Sequence, residues 1–241
     1  MTRRRIVAAV ALAVAAAVAA GGLAAATLTG GGRATPPLAG VALDHPVPQL
    51  SLIDETGRTT SLEAFRGSVV VLAPTLTLCH EVCPVASGAL EQVRYDAERA
   101  GLGKRVSVLE VSVDPWRDSP RRLRAYRRDT GVDFGLLTGT HGELSRFWKF
   151  FGVGFYPTGH GKTFDVAHTD GVFFIDARGH QRAAIIGMPD VHGKLAERLR
   201  RLLSATGRHN LARPEAGWTV QQALDDVGRL LGRTIPAKPL P

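Results

Sequence analysis

Two apolar runs rich in β-branched residues constrain the fold of this chain more than any other feature. They cover residues 69–75 and 106–114, and neither alternates polar with apolar side chains. Continuous runs of this kind are typical of strands that are buried on both faces of a sheet. The segment between them, residues 85–102, has the apolar periodicity of a helix. We therefore predict an α/β domain.

Capping and turn residues extend this pattern toward the C-terminus. Ser119 followed by Pro120 predicts the start of a helix, and Gly131 predicts its end. The other expected elements are a helix, a pair of strands and a last helix, over residues 140–151, 171–187 and 191–203. The complete order predicts a central mixed sheet flanked by helices.

The first 28 residues are predicted to be an export segment. Three arginines precede an uncharged run from Ile6 to Leu28. Positive charge stays on the cytoplasmic side, so the remainder is expected on the extracytoplasmic side of the cell membrane. The run is long enough to span a bilayer of about 30 Å, which favours a transmembrane anchor. The small residues 24–26 leave a cleaved signal peptide as the alternative.

Composition divides the rest of the chain into three parts. Residues 29–48 are rich in Gly and Pro and are expected to be a flexible tether. Residues 49–206 carry the strand and helix patterns of the folded domain. Residues 207–241 are a C-terminal extension with an amphipathic helix. We expect this helix to pack on the domain, with docking of a partner as the alternative.

The formal net charge of +8 raises the question of a polyanionic partner. The arginines are scattered over helix-like segments without the interleaved aromatic residues that stack on bases, so nucleic acid is not expected. The charges are predicted to lie on solvated helix faces. The alternative is a basic surface that docks on an acidic partner or on anionic lipid headgroups.

The chain holds only two cysteines, Cys79 and Cys83, in the segment CHEVCP. Hydrophobic residues make up 44% of the 241 residues, so the core needs no disulfide for its stability. A helix is expected to begin at or just after Cys83, with Pro84 in its first turn. Residues four apart share one helix face, so both sulfurs can point to one spot. The helix N-terminus there favours the thiolate form.

Two thiols that face one spot can form a disulfide or hold a soft metal ion. Thiolates select Cu(I), Zn(II) or iron–sulfur clusters. Two cysteines cannot supply a four-thiolate cluster within one chain, and structural zinc takes four protein ligands. Cu(I) is satisfied by two or three soft ligands, so one histidine would complete its site.

His168 is the strongest of the eight histidines as a third ligand. It comes just before an expected buried strand, and in thioredoxin-like folds this segment lies beside the cysteine helix. Redox enzymes of that fold carry a cis-proline here, whereas this chain has no proline between Pro157 and Pro189. A histidine in this place favours metal ligation over disulfide exchange. His80 is expected to point away from the cysteine face.

Four segments in order carry a family resemblance. They are TLCHEVCP at 77–84, VDPWRDSP at 113–120, LTGT at 137–140, and His168 followed by FFIDARG at 173–179. They resemble the T-x-C-x-x-x-C-P, V-D-P-x-R-D-T-P, L-T-G-T and H…YLIDPxG signatures of the Sco/SenC family. These proteins are thioredoxin-fold copper chaperones that help to assemble the binuclear copper site of cytochrome c oxidase. The resemblance covers roughly residues 45–205.

The resemblance implies a thioredoxin-like fold and copper, as Cu(I) or also Cu(II), held by Cys79, Cys83 and His168. The copper would pass by ligand exchange to the copper subunit of a respiratory oxidase. No bond-making chemistry is required, so we do not expect an enzyme in the strict sense.

Two acidic positions bear on how such a site would be supported. Asp114 is expected near the metal loop, in contact with a ligand or with a partner, or else as a capping residue before Pro115. The family usually has an acidic residue immediately before the histidine, where this chain has Ala167. The nearest carboxylate in sequence before the histidine is Asp165. Any orienting role of a carboxylate on His168 is therefore left open.

The leading alternative is an extracytoplasmic thiol–disulfide oxidoreductase. It would reduce the cysteines of the oxidase copper subunit through a Cys79–Cys83 disulfide and would need a redox partner. A third hypothesis is a peroxidase-like enzyme. It would need a single peroxidatic cysteine with an activating arginine and threonine. Only Thr75 or Thr77 indicates such a site.

Overall fold

A computed structural model describes residues 38–159 and 164–238. The strands are β1 (Val41–Pro46), β2 (Leu52–Asp54), β3 (Thr59–Thr60), β4 (Val69–Thr75), β5 (Val106–Ser112), β6 (Gly135–Thr138), β7 (Phe155–Thr158), β8 (Asp165–His168), β9 (Gly171–Ile175), β10 (His180–Ile186), β11 (Met188–Asp190) and β12 (Ala216–Thr219). The helices are α1 (Cys83–Arg99), α2 (Pro120–Thr130), α3 (His141–Phe151), α4 (Glu197–Arg200), α5 (Ala205–Ala212) and α6 (Val220–Leu231), with a 3₁₀ turn at Leu62–Phe65.

Eight strands form one mixed sheet in the order β1-β10-β9-β4-β5-β6-β2-β3. Strands β4, β5 and β6 run parallel, and β9 pairs antiparallel with β4. The predicted central mixed sheet is therefore confirmed. Two short pairs stand apart from it, β7 with β8 and β11 with β12.

Strand β4 is buried on both faces, as its unbroken apolar run predicts. Val69 and Val71 face a core built with α1, α2 and the C-terminal helices. Val70 and Leu72 face a second core built with α3 and β8. The sheet therefore lies between two layers, and the loop after β4 emerges at the carboxyl end of the central parallel strands.

The predicted helix ends are confirmed where capping residues are strong. The Ser119 side chain caps α2 by accepting a hydrogen bond from the Arg122 N–H, and Gly131 ends it with φ of 74°. Thr140 and Glu143 form a reciprocal capping box at the start of α3. These caps fix where the loops on either side of the helices begin.

Two predictions differ from the structure. Residues 41–46, which the sequence assigns to a flexible tether, form β1 because β10 would otherwise present an unpaired edge. Residues 191–203, expected to be one helix, contain only the short α4. His192 and Gly193 have φ of 52° and 69°, and this left-handed turn interrupts helical geometry.

The C-terminal helix α6 packs on the domain. Ala223, Leu224 and Val227 are fully buried in the core that α1 also contributes to. The buried Asp226 carboxylate accepts hydrogen bonds from the N–H groups of Ala39 and Gly40, at 2.7 and 3.2 Å. The C-terminal extension is therefore hydrogen-bonded to the segment that directly precedes β1.

The expected anchor at residues 1–28 lies outside the described residues. Within residues 38–159 and 164–238, the helices are too short or too polar to cross a bilayer.

Candidate metal centre

The cysteine loop connects the end of β4 to the start of α1. The helix begins at Cys83, as predicted, and Pro84 occupies a first-turn position where a missing N–H costs nothing. The Cys83 N–H donates to the Cys79 Sγ at 3.3 Å. Both cysteines are free thiols, with Cys83 buried and Cys79 half-buried. The spacing of four therefore brings both side chains to the first turn of α1.

The two thiols have opposite pKa shifts. A hydrogen bond from the Cys83 thiol lowers the pKa of Cys79 to about 6, helped by backbone N–H groups of residues 81–83 and opposed by burial. That same hydrogen bond, burial and the negative charges of Cys79 and Asp170 raise the pKa of Cys83 far above its usual range. At neutral pH the pair is a thiolate and a thiol. The hydrogen bond from Cys83, with the backbone N–H groups of the turn, thus favours the thiolate at Cys79 and the thiol at Cys83.

His168 is placed by strand pairing rather than by the cysteine loop. It ends β8 and pairs with Phe155 of β7. Its side chain is 7% exposed, with Nδ1 at 3.4 Å from the Asp170 Oδ1 and 3.2 Å from the Thr169 carbonyl oxygen. The next strand, β9, lies beside β4, which leads into the cysteine loop.

Asp170 is the carboxylate that the sequence analysis missed. It follows His168 by two residues, whereas Asp165, the carboxylate that the sequence analysis considered, is exposed and, among the described residues, accepts from the adjacent Val166 N–H at 2.8 Å. Burial raises the pKa of Asp170, and the positive charge of His168 opposes this. Asp170 therefore acts on both His168 and Cys83. Its position just before a buried strand was the one available signal.

The three expected ligands do not form one cluster in the structure. Within residues 38–159 and 164–238, no three His, Cys, Asp or Glu side chains converge closely enough to enclose a metal ion. Cys79 pairs with Cys83, and His168 pairs with Asp170. The three-ligand set therefore stays a prediction.

His80 is directed away from the pair, as predicted. Its Nδ1 lies 2.7 Å from the carbonyl oxygen of Leu202. The carbonyl oxygen of His80 also accepts from the Ser204 N–H at 2.8 Å. This histidine joins the cysteine loop to the C-terminal segment.

The loop after β5 supports the cysteine loop. The buried Asp118 carboxylate accepts from the Thr77 hydroxyl at 2.5 Å, from the Thr77 N–H at 3.2 Å and from the Ser112 hydroxyl at 2.7 Å. Thr77 lies two residues before Cys79. Asp118 therefore holds the approach to the thiols, a role that sequence reasoning did not assign.

Asp114 supports the histidine strand indirectly. It is fully buried, and its Oδ2 accepts from the Arg117 Nε at 2.6 Å. Arg117 in turn donates to the Phe164 carbonyl oxygen at 2.8 Å and lies 4.3 Å from the centre of that ring. Phe164 directly precedes β8. Asp114 thus acts through Arg117 on the strand that ends at His168.

A second buried acid lies beneath the first turns of α1. Glu110 of β5 is fully buried, and its Oε1 accepts from the Ser87 hydroxyl at 2.7 Å. Its Oε2 has no hydrogen-bond partner among the described residues. Burial raises the pKa of Glu110 to about 8, so it is largely protonated at neutral pH. A charged residue within an apolar run was the signal for it.

Comparisons with known proteins agree with this architecture. A family model described as SCO1/SenC matches residues 43–204. A candidate copper-binding protein of Stutzerimonas stutzeri is 26% identical over 144 residues, which are 58% of this chain and 70% of that relative. An SCO2-like protein of Rickettsia conorii is 25% identical over 134 residues, 53% of this chain. The chain spans less than two thirds of this second relative, namely 63%.

A solved structure confirms the predicted thioredoxin-like fold. ScoI of Bradyrhizobium japonicum, determined with copper bound, superposes with a TM-score of 0.54 at 19% identity. The superposition covers 66% of this chain and 99% of that structure.

We expect Asp170→Asn to lower the pKa of the Cys83 thiol, because a negative charge that disfavours its thiolate is removed. Asp165→Asn removes the same charge from an exposed position and should leave that pKa unchanged. A pH titration of thiolate absorbance in the reduced protein measures both. Equal pKa values in the two variants would show that Asp170 does not act on the pair.

We expect Glu110→Gln to flatten the pH dependence of stability. Ionisation of Glu110 is disfavoured in the fold, and this lowers the free energy of unfolding. The loss is absent below the ordinary pKa of 4.5 and grows as the pH rises toward about 8. The substitution should raise the free energy of unfolding at pH 8 relative to wild type by at most about 3–5 kcal/mol, and far less at pH 5. Urea unfolding at both pH values measures this.

The exposed Glu215→Gln serves as the matched control for that experiment and should follow the wild-type pH profile. A Glu110→Gln protein with the wild-type profile would show that Glu110 is ionised in the fold at neutral pH.

Proposed function

Because the chain belongs to the SCO1/SenC family, we propose that it is a copper chaperone that delivers copper to the copper site of a respiratory cytochrome c oxidase. Residues 1–28 would hold the domain at the extracytoplasmic face of the membrane. The observation that carries the proposal is the placement of both cysteines at the first turn of α1, where the Cys83 N–H donates to the Cys79 Sγ at 3.3 Å.

The donor set suits a soft, singly charged cargo. Cys79 is already a thiolate at neutral pH, so it supplies a first ligand without losing a proton. Cys83 would release its proton as the metal binds, because the cation replaces the proton shared by the two sulfurs. Two thiolates favour Cu(I) over harder ions.

His168 is proposed as the third ligand through Nε2. Its Nδ1 faces the Thr169 carbonyl oxygen and the Asp170 carboxylate, which favours a proton on Nδ1. A metal-binding histidine commonly has its second ring nitrogen held in this way. Because the three side chains are not clustered in the described residues, we infer that copper draws His168 toward the cysteine pair.

Transfer would proceed by ligand exchange with the copper subunit of the oxidase. Each step would replace one ligand from this chain with one from the acceptor, and Cys83 would recover its proton as copper leaves. Copper changes neither its oxidation state nor its charge in such a step, so no electron donor is needed.

The second candidate function is reduction of cysteines in the oxidase copper subunit. It is favoured by the different pKa values of the two thiols, since Cys79 can attack an acceptor disulfide as a thiolate and form a mixed disulfide with one acceptor sulfur. The other acceptor sulfur leaves as a thiolate and takes up the proton of Cys83, and Cys83 can then attack the Cys79 sulfur and displace the second acceptor thiol. The acceptor gains two electrons, and the chain ends with a Cys79–Cys83 disulfide. An extracytoplasmic dithiol reductant would have to restore the pair.

Copper titration against a chromophoric Cu(I) chelator separates the two functions. We expect one Cu(I) per wild-type chain and an affinity at least about tenfold weaker in His168→Ala, about 1.4 kcal/mol. His80→Ala is the control from within the same motif and should retain the wild-type affinity. Equal affinity in wild type and His168→Ala, with turnover of disulfides by a reductant, would contradict the chaperone function.

A further inference from the structure

A basic groove lies beside the cysteine loop, and none of the three proposed copper ligands lines it. The groove has a volume of about 730 Å³. Thr77, two residues before Cys79, lines one end, and Leu202 contributes an apolar side chain. Four exposed arginines of α2 line the groove: Arg121, Arg122, Arg124 and Arg128.

The four α2 arginines of this groove are largely unneutralised, whereas Arg117, which also lines it, is paired with Asp114 at 2.6 Å. Among the described residues, Arg121, Arg122 and Arg124 make no ion pair with a carboxylate, and Arg128 has only the exposed Asp129 at 3.8 Å. By contrast, the half-buried Arg127 on the same helix pairs with Glu55 at 2.6 Å. The fold therefore neutralises the arginine that faces inward and leaves positive charge along the groove.

The groove is continuous with the cysteine loop. The Arg122 Nε donates to the Thr77 hydroxyl at 3.1 Å, and this hydroxyl also donates to the buried Asp118. A ligand in the groove would therefore lie next to the segment that carries Cys79. This position suits a partner that must reach the thiols.

The spacing of the arginines favours an extended acidic peptide over a single small anion. Residues 121–128 span about 10 Å along the helix, since each residue advances about 1.5 Å. Arginine binds carboxylates through two parallel hydrogen bonds, so several carboxylates in sequence could each find a partner. A concave groove also fits a protein segment better than the flat surface of a membrane.

We propose that this groove binds an acidic segment of the copper acceptor and docks it beside Cys79. The identity of the partner as the acceptor rests on the proposed function. Opposite charge would accelerate the encounter and fix the orientation of the two proteins, while the copper ligands determine what is transferred.

Binding of a fluorescein-labelled hexaglutamate peptide to the full chain in phosphatidylcholine nanodiscs tests the groove. We expect binding that weakens as salt rises, because exposed charges are screened over about 10 Å at 0.1 M, and no binding of hexaglutamine. Arg121→Glu/Arg124→Glu should weaken peptide binding at least about tenfold without changing Cu(I) affinity. Lys104→Glu/Arg105→Glu makes the same change in charge in the exposed turn before β5 and should alter peptide binding by less than about twofold.

Three results would overturn the proposal. The first is that the wild-type chain does not bind hexaglutamate. The second is that both double variants lose binding equally, which would indicate a general effect of net charge. The third is loss of peptide binding in phosphatidylglycerol nanodiscs, which indicates that the groove faces lipid headgroups. If the chain does not bind Cu(I) but its groove still binds the peptide, the proposed function is contradicted. The groove would then remain a binding site for acidic segments.

Discussion

The hydrogen-bonded pair of Cys79 and Cys83 depends on the first turn of α1, and much of the surrounding structure serves to hold that turn in place. Strand β4, buried on both faces, leads the chain to the carboxyl end of the parallel strands, where the cysteine loop begins. Backbone N–H groups of the turn stabilise the Cys79 thiolate. Asp118 fixes the approach through Thr77. A thiolate and a protonated thiol in one place suit either a soft metal ion or disulfide exchange, and ligation by the proposed third ligand, His168, would decide between them.

The acidic groups near the thiols are buried or half-buried in the protein, whereas the α2 arginines near the thiols are exposed and, among the described residues, largely without carboxylate partners. Asp170 is close enough to Cys83 for its charge to act on that thiol, and Glu110, largely protonated at neutral pH, is close enough to Cys79 for the thiolate to raise its pKa. Asp170 raises the pKa of Cys83, so the second thiol keeps its proton until a cation replaces it. The α2 arginines of the groove beside Thr77 are exposed. This division favours a cationic cargo within the site and an anionic partner outside it.

Local patterns predicted the elements that carry strong local signals. The β-branched run at 69–75 is β4, and the capped segment from Ser119 to Gly131 is α2. The strand β1 was missed because its stability comes from pairing with β10, which no local pattern shows. Asp170 was missed for a similar reason: its contact with His168 depends on the turn between β8 and β9. The cysteine turn was predictable, whereas the arrangement of charge around it needed the tertiary fold.

Copper K-edge X-ray absorption of the Cu(I)-loaded chain tests the central claim most directly, because it reports the atoms bound to the metal. The account predicts two sulfur scatterers, from Cys79 and Cys83, and one nitrogen scatterer that disappears in His168→Ala. It also predicts that His80→Ala leaves the spectrum unchanged. Two sulfurs without nitrogen in the wild-type chain, or a nitrogen that persists in His168→Ala, would contradict it.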